Sequence, residues 1–316
     1  MGSLVEGKWV EGMVMTTDKK GAYDRQPRSF RDFISADHEI FKPESDRYHL
    51  YVSYACPWAT RTLIYRKLKA LTNHISFSVV SPDMGDQGWK FDTAYPGATK
   101  DDLYGLQHLN QIYIKADPNI TTSVSVPVLW DKKTDTIVNN ESSEIIRMFN
   151  SAFGDSGAKA GDYYPQDLRA EIDALNERIY NTVNNGVYRC GFATSQRAYD
   201  EAVTPLFDSL DWLEEILSRK RYLLGDQMTE ADWRLYPTLV RFDLAYYGNF
   251  KCNLRRLRDY PNLWGYTREI YQMPGIAETS NLGRMKAGYY TIIAVNPTAI
   301  VPIGPEIDFT EAHGRG

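Results

Sequence analysis

Cysteine is scarce in this chain of 316 residues, which contains only Cys56, Cys190 and Cys252. An odd and sparse set is not the disulfide framework that stabilises small secreted proteins. There is no Cys-x-x-Cys pair and no group of cysteine and histidine with the spacing of zinc ligands, so we expect no metal cofactor. This cysteine usage suits a reducing compartment, and we expect a cytoplasmic protein.

Long apolar runs and clustered positive charge are also missing. No stretch approaches the roughly 18 apolar residues of a membrane span, and Met1 to Lys20 lack the apolar core of a signal peptide. The net charge is −5, whereas nucleic-acid binding requires grouped lysine and arginine. We therefore expect partners that are neither membranes nor nucleic acids.

Aromatic residues, in contrast, are abundant, and tyrosine alone occurs 22 times. Most of these rings will be buried in a core, but the excess leaves material for a pocket that stacks on flat substrates. The length exceeds that of a usual single core and predicts two domains.

The first half of the chain alternates strand and helix patterns. We predict strands at 49–53, 75–80, 126–130 and 136–138, a helix at 59–71 led by Pro57, and a helix opening at Glu141. Residues 82–122 form a long polar segment that is either partly helical or functional. The first strand, helix and second strand make a βαβ unit with Cys56 at its first turn.

The second half has helical periodicity throughout. Apolar residues recur with a period of 3.6 over 169–184, 195–217, 230–247 and 263–271, and Thr229 with Asp232 resembles a capping box. The prolines of 296–305 predict an extended tail. We predict an N-terminal extension at 1–45, an α/β domain at 46–155, and an all-α helical domain with an extended tail at 156–316.

Cys56 precedes Pro57 at a turn from strand to helix. The free N–H groups and positive dipole at a helix N-terminus lower the pKa of a thiol and favour the thiolate. Taken alone, a Cys-Pro pair favours a buried structural cysteine, because most cysteines are buried and inert.

Two further pieces follow in a fixed order. Val126-Pro127 begins a strand, where a cis proline exposes backbone for pairing with a peptide, although an ordinary edge-strand proline is as compatible with the pattern. Glu141-Ser142 begins a helix, where a carboxylate ligand or a plain cap would fit. A thiol turn, a Val-Pro strand, a hairpin and a Glu-Ser helix in this order are typical of a glutathione site.

The motifs resemble those of the Xi-class glutathione transferases, the glutathionyl-hydroquinone reductases, over about residues 45–305. The resemblance rests on segments such as Tyr54-Ala55-Cys56-Pro57-Trp58-Ala59, Val126-Pro127-Val128-Leu129-Trp130-Asp131, Asn140-Glu141-Ser142-Ser143-Glu144, Asn185-Gly186-Val187-Tyr188-Arg189 and Thr229-Glu230-Ala231-Asp232-Trp233-Arg234.

The resemblance implies a glutathione transferase fold, in which an α/β domain of thioredoxin-like type with a mixed four-stranded sheet precedes an all-α helical-bundle domain. It also implies a role for each of several residues. Cys56 would be the nucleophile. Glutathione would be held by Trp89, Val126, Pro127, Glu141 and Ser142. The aromatic substrate would be met by Tyr188, Tyr289 and Tyr290, with Tyr188 and Tyr289 acting in catalysis. From the residues alone, Tyr188 is also compatible with a helix-packing ring, and Trp89 with an anchor for its loop.

Some positions depart from the family pattern. Ser123 stands where the family usually has an arginine that meets a glutathione carboxylate. Gly288 stands where a histidine usually precedes the paired tyrosines, and Ile292-Ile293 replace a Ser-His pair, so we expect a more apolar acceptor pocket.

The implied reaction removes glutathione from an S-glutathionyl hydroquinone through a mixed disulfide on Cys56, which a second glutathione resolves. The class also implies a homodimer. Two alternatives remain open: an omega-like thiol transferase acting on dehydroascorbate or mixed disulfides, and a non-catalytic protein that binds aromatic ligands.

Overall fold

The computed structural model describes residues 2–12 and 17–316. They form two compact units. The first contains residues 2–12 and Arg25–Asp162, and the second contains residues 17–24 and Tyr163–Gly316. Residues 25–45, predicted as part of an extension, thus group with the first unit, and the chain enters the second unit after Asp162.

A mixed four-stranded sheet forms the centre of the first unit, as predicted. Its strands are β3 (Tyr48–Val52), β4 (Ile75–Val79), β6 (Val128–Asp131) and β7 (Thr136–Asn139), in the order β4-β3-β6-β7. β3 is parallel to β4, while the β3–β6 and β6–β7 pairs are antiparallel. Every residue of the central strand β3 is buried, which is expected of a sheet covered on both faces.

Three helices complete the predicted α/β pattern. They are α1 (Pro57–Leu68), α2 (Leu109–Ala116) and α3 (Ser142–Ser151). α1 begins with proline at its first position, where the missing N–H is not needed. The polar segment 82–122 is therefore partly helical through α2, one of the two outcomes expected for it.

The N-terminal residues are more regular than expected. β1 (Gly2–Val5) and β2 (Lys8–Glu11) form a hairpin, and β1 pairs with β5 (Thr122–Ser123). Glu6 and Gly7 both have positive φ, 49° and 72°, as a two-residue hairpin turn requires. The prediction of an extension at 1–45 did not include this hairpin, because four-residue strands show too little alternation to be recognised.

The second unit is helical, as predicted. Its helices are α4 (Arg169–Ile179), α5 (Gly186–Gly191), α6 (Gln196–Leu217), α7 (Glu230–Leu239), α8 (Tyr247–Asn249), α9 (Pro261–Gln272) and α10 (Leu282–Tyr290). Two π-helical turns, Tyr180–Asn184 and Phe242–Tyr246, interrupt the helices predicted over 169–184 and 230–247. The predicted capping box of Thr229 and Asp232 opens α7.

The chain after α10 forms no further helix or strand. It is anchored by Phe309, which is buried against the rings of Trp264 and Tyr271. Across the described ranges, no helix is long and apolar enough to cross a membrane.

Candidate glutathione site and tyrosine cluster

Cys56 caps the N-terminus of α1. Its backbone is extended, with φ −84° and ψ 119°, and its N–H donates to the Ser53 carbonyl at 3.1 Å. The half-buried Sγ lies 3.4 Å from the carbonyl oxygen of Val126. A thiol at the positive end of a twelve-residue helix is in the environment that favours a reactive thiolate.

Val126 and Pro127 come immediately before β6. The peptide bond between them is cis, as the thioredoxin-like pattern predicts, and the Val126 side chain is buried. Cys56 and Val126 therefore lie together within the first unit. A peptide thiol held along the Val126 backbone would have the Cys56 sulfur beside it.

Glu141 and Ser142 form the start of α3. The Glu141 Oε1 accepts hydrogen bonds from the backbone N–H and hydroxyl of Ser143, both at 3.0 Å. Burial opposes ionisation of Glu141, but these hydrogen bonds and the charges of Arg28 and Arg61 outweigh it and lower its pKa. An ionised Glu141 beside the helix N-terminus can bind an ammonium group while the helix end binds a carboxylate.

Tyr113 connects these two parts of the site. Its hydroxyl donates to the Ser125 carbonyl at 2.8 Å and accepts from the Asn140 amide nitrogen at 3.1 Å. Ser125 precedes Val126, and Asn140 precedes Glu141. One fully buried phenol on α2 thus sets the distance between the Val126 backbone and the start of α3.

Trp89 is half-buried in the loop before α2, and its carbonyl accepts from the N–H of Leu109 at 2.9 Å. The N-terminal hairpin supports this loop through Trp9, whose indole N–H donates to the Asp86 carbonyl at 2.7 Å. Gly88 has φ +76°, and a Cβ there would lie 2.7 Å from the Trp9 ring. The loop conformation therefore requires glycine at 88 and packs on the hairpin.

The second unit holds a chain of three tyrosine hydroxyls. Tyr289 shares hydrogen bonds with Tyr188 at 2.6 Å and with Tyr246 at 2.7 Å. Burial, with the two neighbouring phenols, raises the pKa of Tyr289 well above its ordinary value. At neutral pH Tyr289 is therefore a protonated hydrogen-bonding group rather than a base.

Three other residues singled out from the sequence lie outside this hydroxyl chain. The Tyr290 hydroxyl lies against Gly248, only 2.4 Å from where a Cβ would be. Ile293, expected to make the acceptor pocket more apolar, has 59% of its surface exposed. Ser123 belongs to β5 and pairs with Ser3.

Cys190 and Cys252 are buried free thiols, as expected of structural cysteines. Burial, with the adjacent Cys190 thiol, raises the pKa of Cys252 well above its ordinary value, which disfavours the thiolate. Within residues 2–12 and 17–316, no group of three histidine, cysteine or acidic side chains is arranged to hold a metal ion.

Sequence reasoning missed Arg28, Arg61, Tyr113 and Tyr246. Arg61 belongs to the motif segment that begins at Tyr54 and stacks on Trp58 within α1, but the motif gives no role for it. Arg28, Tyr113 and Tyr246 lie in no motif and acquire their positions through contacts distant in sequence. Tyr246 ends a π-helical turn, a feature that often occurs at functional sites but is visible only in the folded chain.

Comparison with known proteins agrees with this architecture. The family model for the glutathione S-transferase N-terminal domain matches residues 55–152, and that for the C-terminal domain matches residues 196–269. The chain therefore belongs to the glutathione S-transferase family.

Similarity to individual relatives identifies the class within this family. The glutathionyl-hydroquinone reductase YqjG of Escherichia coli is 55% identical, covering 100% of this chain and 98% of the relative. Its glutathione-bound structure, aligned over 99% of both chains, has a TM-score of 0.92. The glutathionyl-hydroquinone reductase PcpF of Sphingobium chlorophenolicum is 51% identical over 96% of both chains. The Xi-class transferase of Natrialba magadii has a TM-score of 0.94 at 45% identity, over 100% of this chain and 97% of that one. Within its family, the chain falls in the Xi class.

Proposed function

We propose that this protein is a glutathionyl-hydroquinone reductase that uses Cys56 as its nucleophile. The observation that carries the proposal is the half-buried Cys56 thiol at the N-terminus of α1, 3.4 Å from the Val126 carbonyl. The activity named for the Escherichia coli and Sphingobium relatives supports the same function, since similarity to each extends over nearly the whole chain.

The reaction proceeds in two thiol exchanges. The Cys56 thiolate attacks the sulfur of the S-glutathionyl hydroquinone and forms a disulfide with glutathione. The bond from sulfur to the aromatic carbon breaks, and that carbon leaves with the electron pair and takes up a proton. A second glutathione thiolate attacks the mixed disulfide, giving glutathione disulfide and regenerating the Cys56 thiolate. The substrate is reduced, and two glutathione units are oxidised.

Glutathione is the cosubstrate, and five residues of the first unit would hold it. The Val126 backbone, ahead of Pro127, pairs with the cysteinyl unit of glutathione. The ionised Glu141 and the hydroxyl of Ser142 bind the γ-glutamyl end. Trp89 packs over the tripeptide, supported by the hairpin beneath its loop.

Tyr188 is the proposed proton donor to the aromatic carbon. Tyr289 shares a hydrogen bond with it at 2.6 Å, so the Tyr188 hydroxyl is oriented by a protonated neighbour. A positioned acid of this kind typically contributes a factor of about 10² or more to the rate. Tyr290 belongs to the aromatic-substrate pocket in this proposal, through its ring rather than the hydroxyl chain.

The test measures turnover of different substrates by the wild-type protein and by a variant that lacks the Cys56 thiol. We expect turnover of S-glutathionyl hydroquinone with release of free hydroquinone, and loss of that turnover in Cys56→Ser. An omega-like thiol transferase would instead reduce dehydroascorbate or mixed disulfides faster than the hydroquinone conjugate. A binding protein would bind aromatic ligands equally well with either residue at position 56 and turn over nothing.

We also propose that the enzyme works as a homodimer in the cytoplasm, where reduced glutathione is available to resolve the mixed disulfide. Light scattering on the purified protein tests the assembly, and a mass near 36.2 kDa, that of one chain, would contradict it.

A further inference from the structure

A segment before β3 lies along the edge of the glutathione site. Asp32 donates its N–H to the Val138 carbonyl at 3.0 Å, and the N–H of Asn140 donates to the Phe30 carbonyl at 3.1 Å. Phe30 also donates its own N–H to the Asn140 side chain at 3.3 Å. Residues 30–32 thus extend the edge of β7 and reach the start of α3, where Glu141 lies.

Arg28 lies two residues before this paired stretch. Its neighbour Ser29 shares a hydrogen bond of 2.5 Å with Thr122, at the start of the strand that leads to Val126. The backbone at Arg28 is therefore held between the two parts of the site. The half-exposed guanidinium is close enough for its charge to act on the Glu141 carboxylate.

The nearby cations differ in their availability. Arg31 forms an ion pair with Glu144, and Arg61 is 1% exposed and stacks on the Trp58 ring at 4.6 Å. Within the described ranges, the Arg28 guanidinium has no ion-pair or hydrogen-bond partner. Arg28 is therefore the arginine of this cluster that is both accessible and uncommitted.

The carboxylate at the γ-glutamyl end of glutathione calls for an accessible cation near Glu141. Its γ-glutamyl end carries an ammonium and a carboxylate on the same carbon, so binding the ammonium at Glu141 brings the carboxylate alongside. The stretch from Thr122 to Val126 supplies no cation. A guanidinium is suited to this ligand because its planar N–H groups match the two carboxylate oxygens.

We propose that Arg28 binds the γ-glutamyl carboxylate of glutathione, next to Ser142. This assignment rests on the proposed glutathione site and adds a residue that precedes residues 55–152, the part of the chain that matches the N-terminal family model. It makes the N-terminal segment a part of the binding site rather than a surface extension.

Titration of glutathione into Cys56→Ser protein tests the proposal without requiring turnover. We expect Arg28→Gln to raise the dissociation constant about tenfold, the scale of one charge-assisted hydrogen bond. Arg28→Lys, which keeps the charge, should weaken binding less. Arg31→Gln is the matched control, since Arg31 also acts on Glu141 by charge but is paired with Glu144; we expect its effect to stay within about threefold.

The glycyl monoethyl ester of glutathione shows which of the two carboxylates of glutathione Arg28 binds, because the ester blocks only the glycyl carboxylate. Because the ester keeps the γ-glutamyl carboxylate, Arg28→Gln should weaken both ligands by the same factor. Unchanged affinity in Arg28→Gln would overturn the proposal. The proposal would also be overturned if Arg28→Gln weakened the binding of glutathione but not of its ester. It would equally be overturned if Arg31→Gln raised the dissociation constant as much as Arg28→Gln does. Thermal midpoints verify that the variants fold. Failure of the proposed reaction would appear separately, as absent turnover by the wild-type protein that still binds glutathione.

Discussion

The Tyr113 hydroxyl and the Asn140 side-chain amide meet at 3.1 Å inside the first unit. The same hydroxyl donates to the Ser125 carbonyl at 2.8 Å. The residues that follow these partners, Val126 and Glu141, are the proposed ligands of the cysteinyl and γ-glutamyl units of glutathione. Tyr113 therefore fixes the spacing of a site that it does not itself line.

Replacing Tyr113 with phenylalanine should raise the KM for glutathione several-fold and leave kcat nearly unchanged. The variant leaves the part-buried Ser125 carbonyl and the buried Asn140 amide without this partner, which costs up to about 1–3 kcal/mol for each group that stays unsatisfied. Steady-state kinetics and urea unfolding measure the two effects.

Tyr104→Phe is the matched control in the same unit. Its hydroxyl hydrogen-bonds to Asp135 and accepts from the Trp130 indole at 2.8 Å, away from the proposed glutathione ligands. Tyr104→Phe should lower stability without raising KM. If the two variants raised KM equally, Tyr113 would have no positioning role.

The tyrosine hydroxyl chain predicts graded effects on catalysis. Tyr188→Phe removes the proposed acid and should lower kcat at least 10²-fold. Tyr246→Phe removes only the far hydroxyl, which bonds to Tyr289 at 2.7 Å, so its effect should be several-fold. Tyr199→Phe, whose hydroxyl bonds to the Lys251 carbonyl, is the control. A kcat of Tyr188→Phe equal to that of Tyr199→Phe would eliminate Tyr188 as the acid.

The two-domain fold could be predicted because its signals are local. Periodicity identified the four strands of the main sheet and most of the longer helices, although not α2 or α10, and Pro57 and Thr229 marked helix starts. The family resemblance then gave the sheet its topology. The short strands β1 and β2 were missed because four residues give little alternation, and the pairing of β1 with β5 joins parts of the chain more than 100 residues apart.

The site could be predicted only in part, for a related reason. Cys56, Val126 and Glu141 stand in motifs whose order is informative. Arg28 and Tyr113 stand in no motif, and only the folded chain brings them to Glu141 and Asn140. Their roles depend on contacts between residues far apart in the chain, and a single sequence does not reveal such contacts.

The buried His49 should make the free energy of unfolding decrease in acid. Its ring lies between the hydroxyls of Ser76 at 2.8 Å and Ser78 at 3.0 Å, and burial lowers its pKa from 6.5 to about 3. Above pH 6.5 the ring is neutral in both states. As the pH falls from 6.5 toward 3, the unfolded chain binds a proton that the folded chain does not, so the free energy of unfolding decreases.

That loss should be about 1–2 kcal/mol between about pH 6.5 and 5, near the limit of 1.4 kcal/mol per pH unit for one proton. His49→Gln retains polar atoms but cannot titrate, so its free energy of unfolding should fall less over this range. Urea unfolding at several pH values measures both proteins. Parallel curves for the two would show that His49 titrates normally in the folded state.

Removing the side chain of Asp232 should destabilise the second unit. Its carboxylate is fully buried and accepts from the backbone N–H groups of Leu223 at 3.0 Å and Thr229 at 2.8 Å, and from the Tyr266 hydroxyl at 2.8 Å. Asp232→Ala leaves these donors unsatisfied and should cost about 3 kcal/mol or more. The exposed Asp226 is the control, and Asp226→Ala should change stability by less than about 0.5 kcal/mol. Equal losses would contradict this account of the cap.

The most direct test of Cys56 as the nucleophile is the intact mass of the protein after incubation with an S-glutathionyl hydroquinone and no free glutathione. We expect one glutathione added per chain, mapped by peptide analysis to Cys56, together with an equal amount of free hydroquinone. Adding glutathione should then restore the original mass and release glutathione disulfide. Unmodified protein with the conjugate intact, or an adduct on Cys190 or Cys252, would contradict the proposed mechanism.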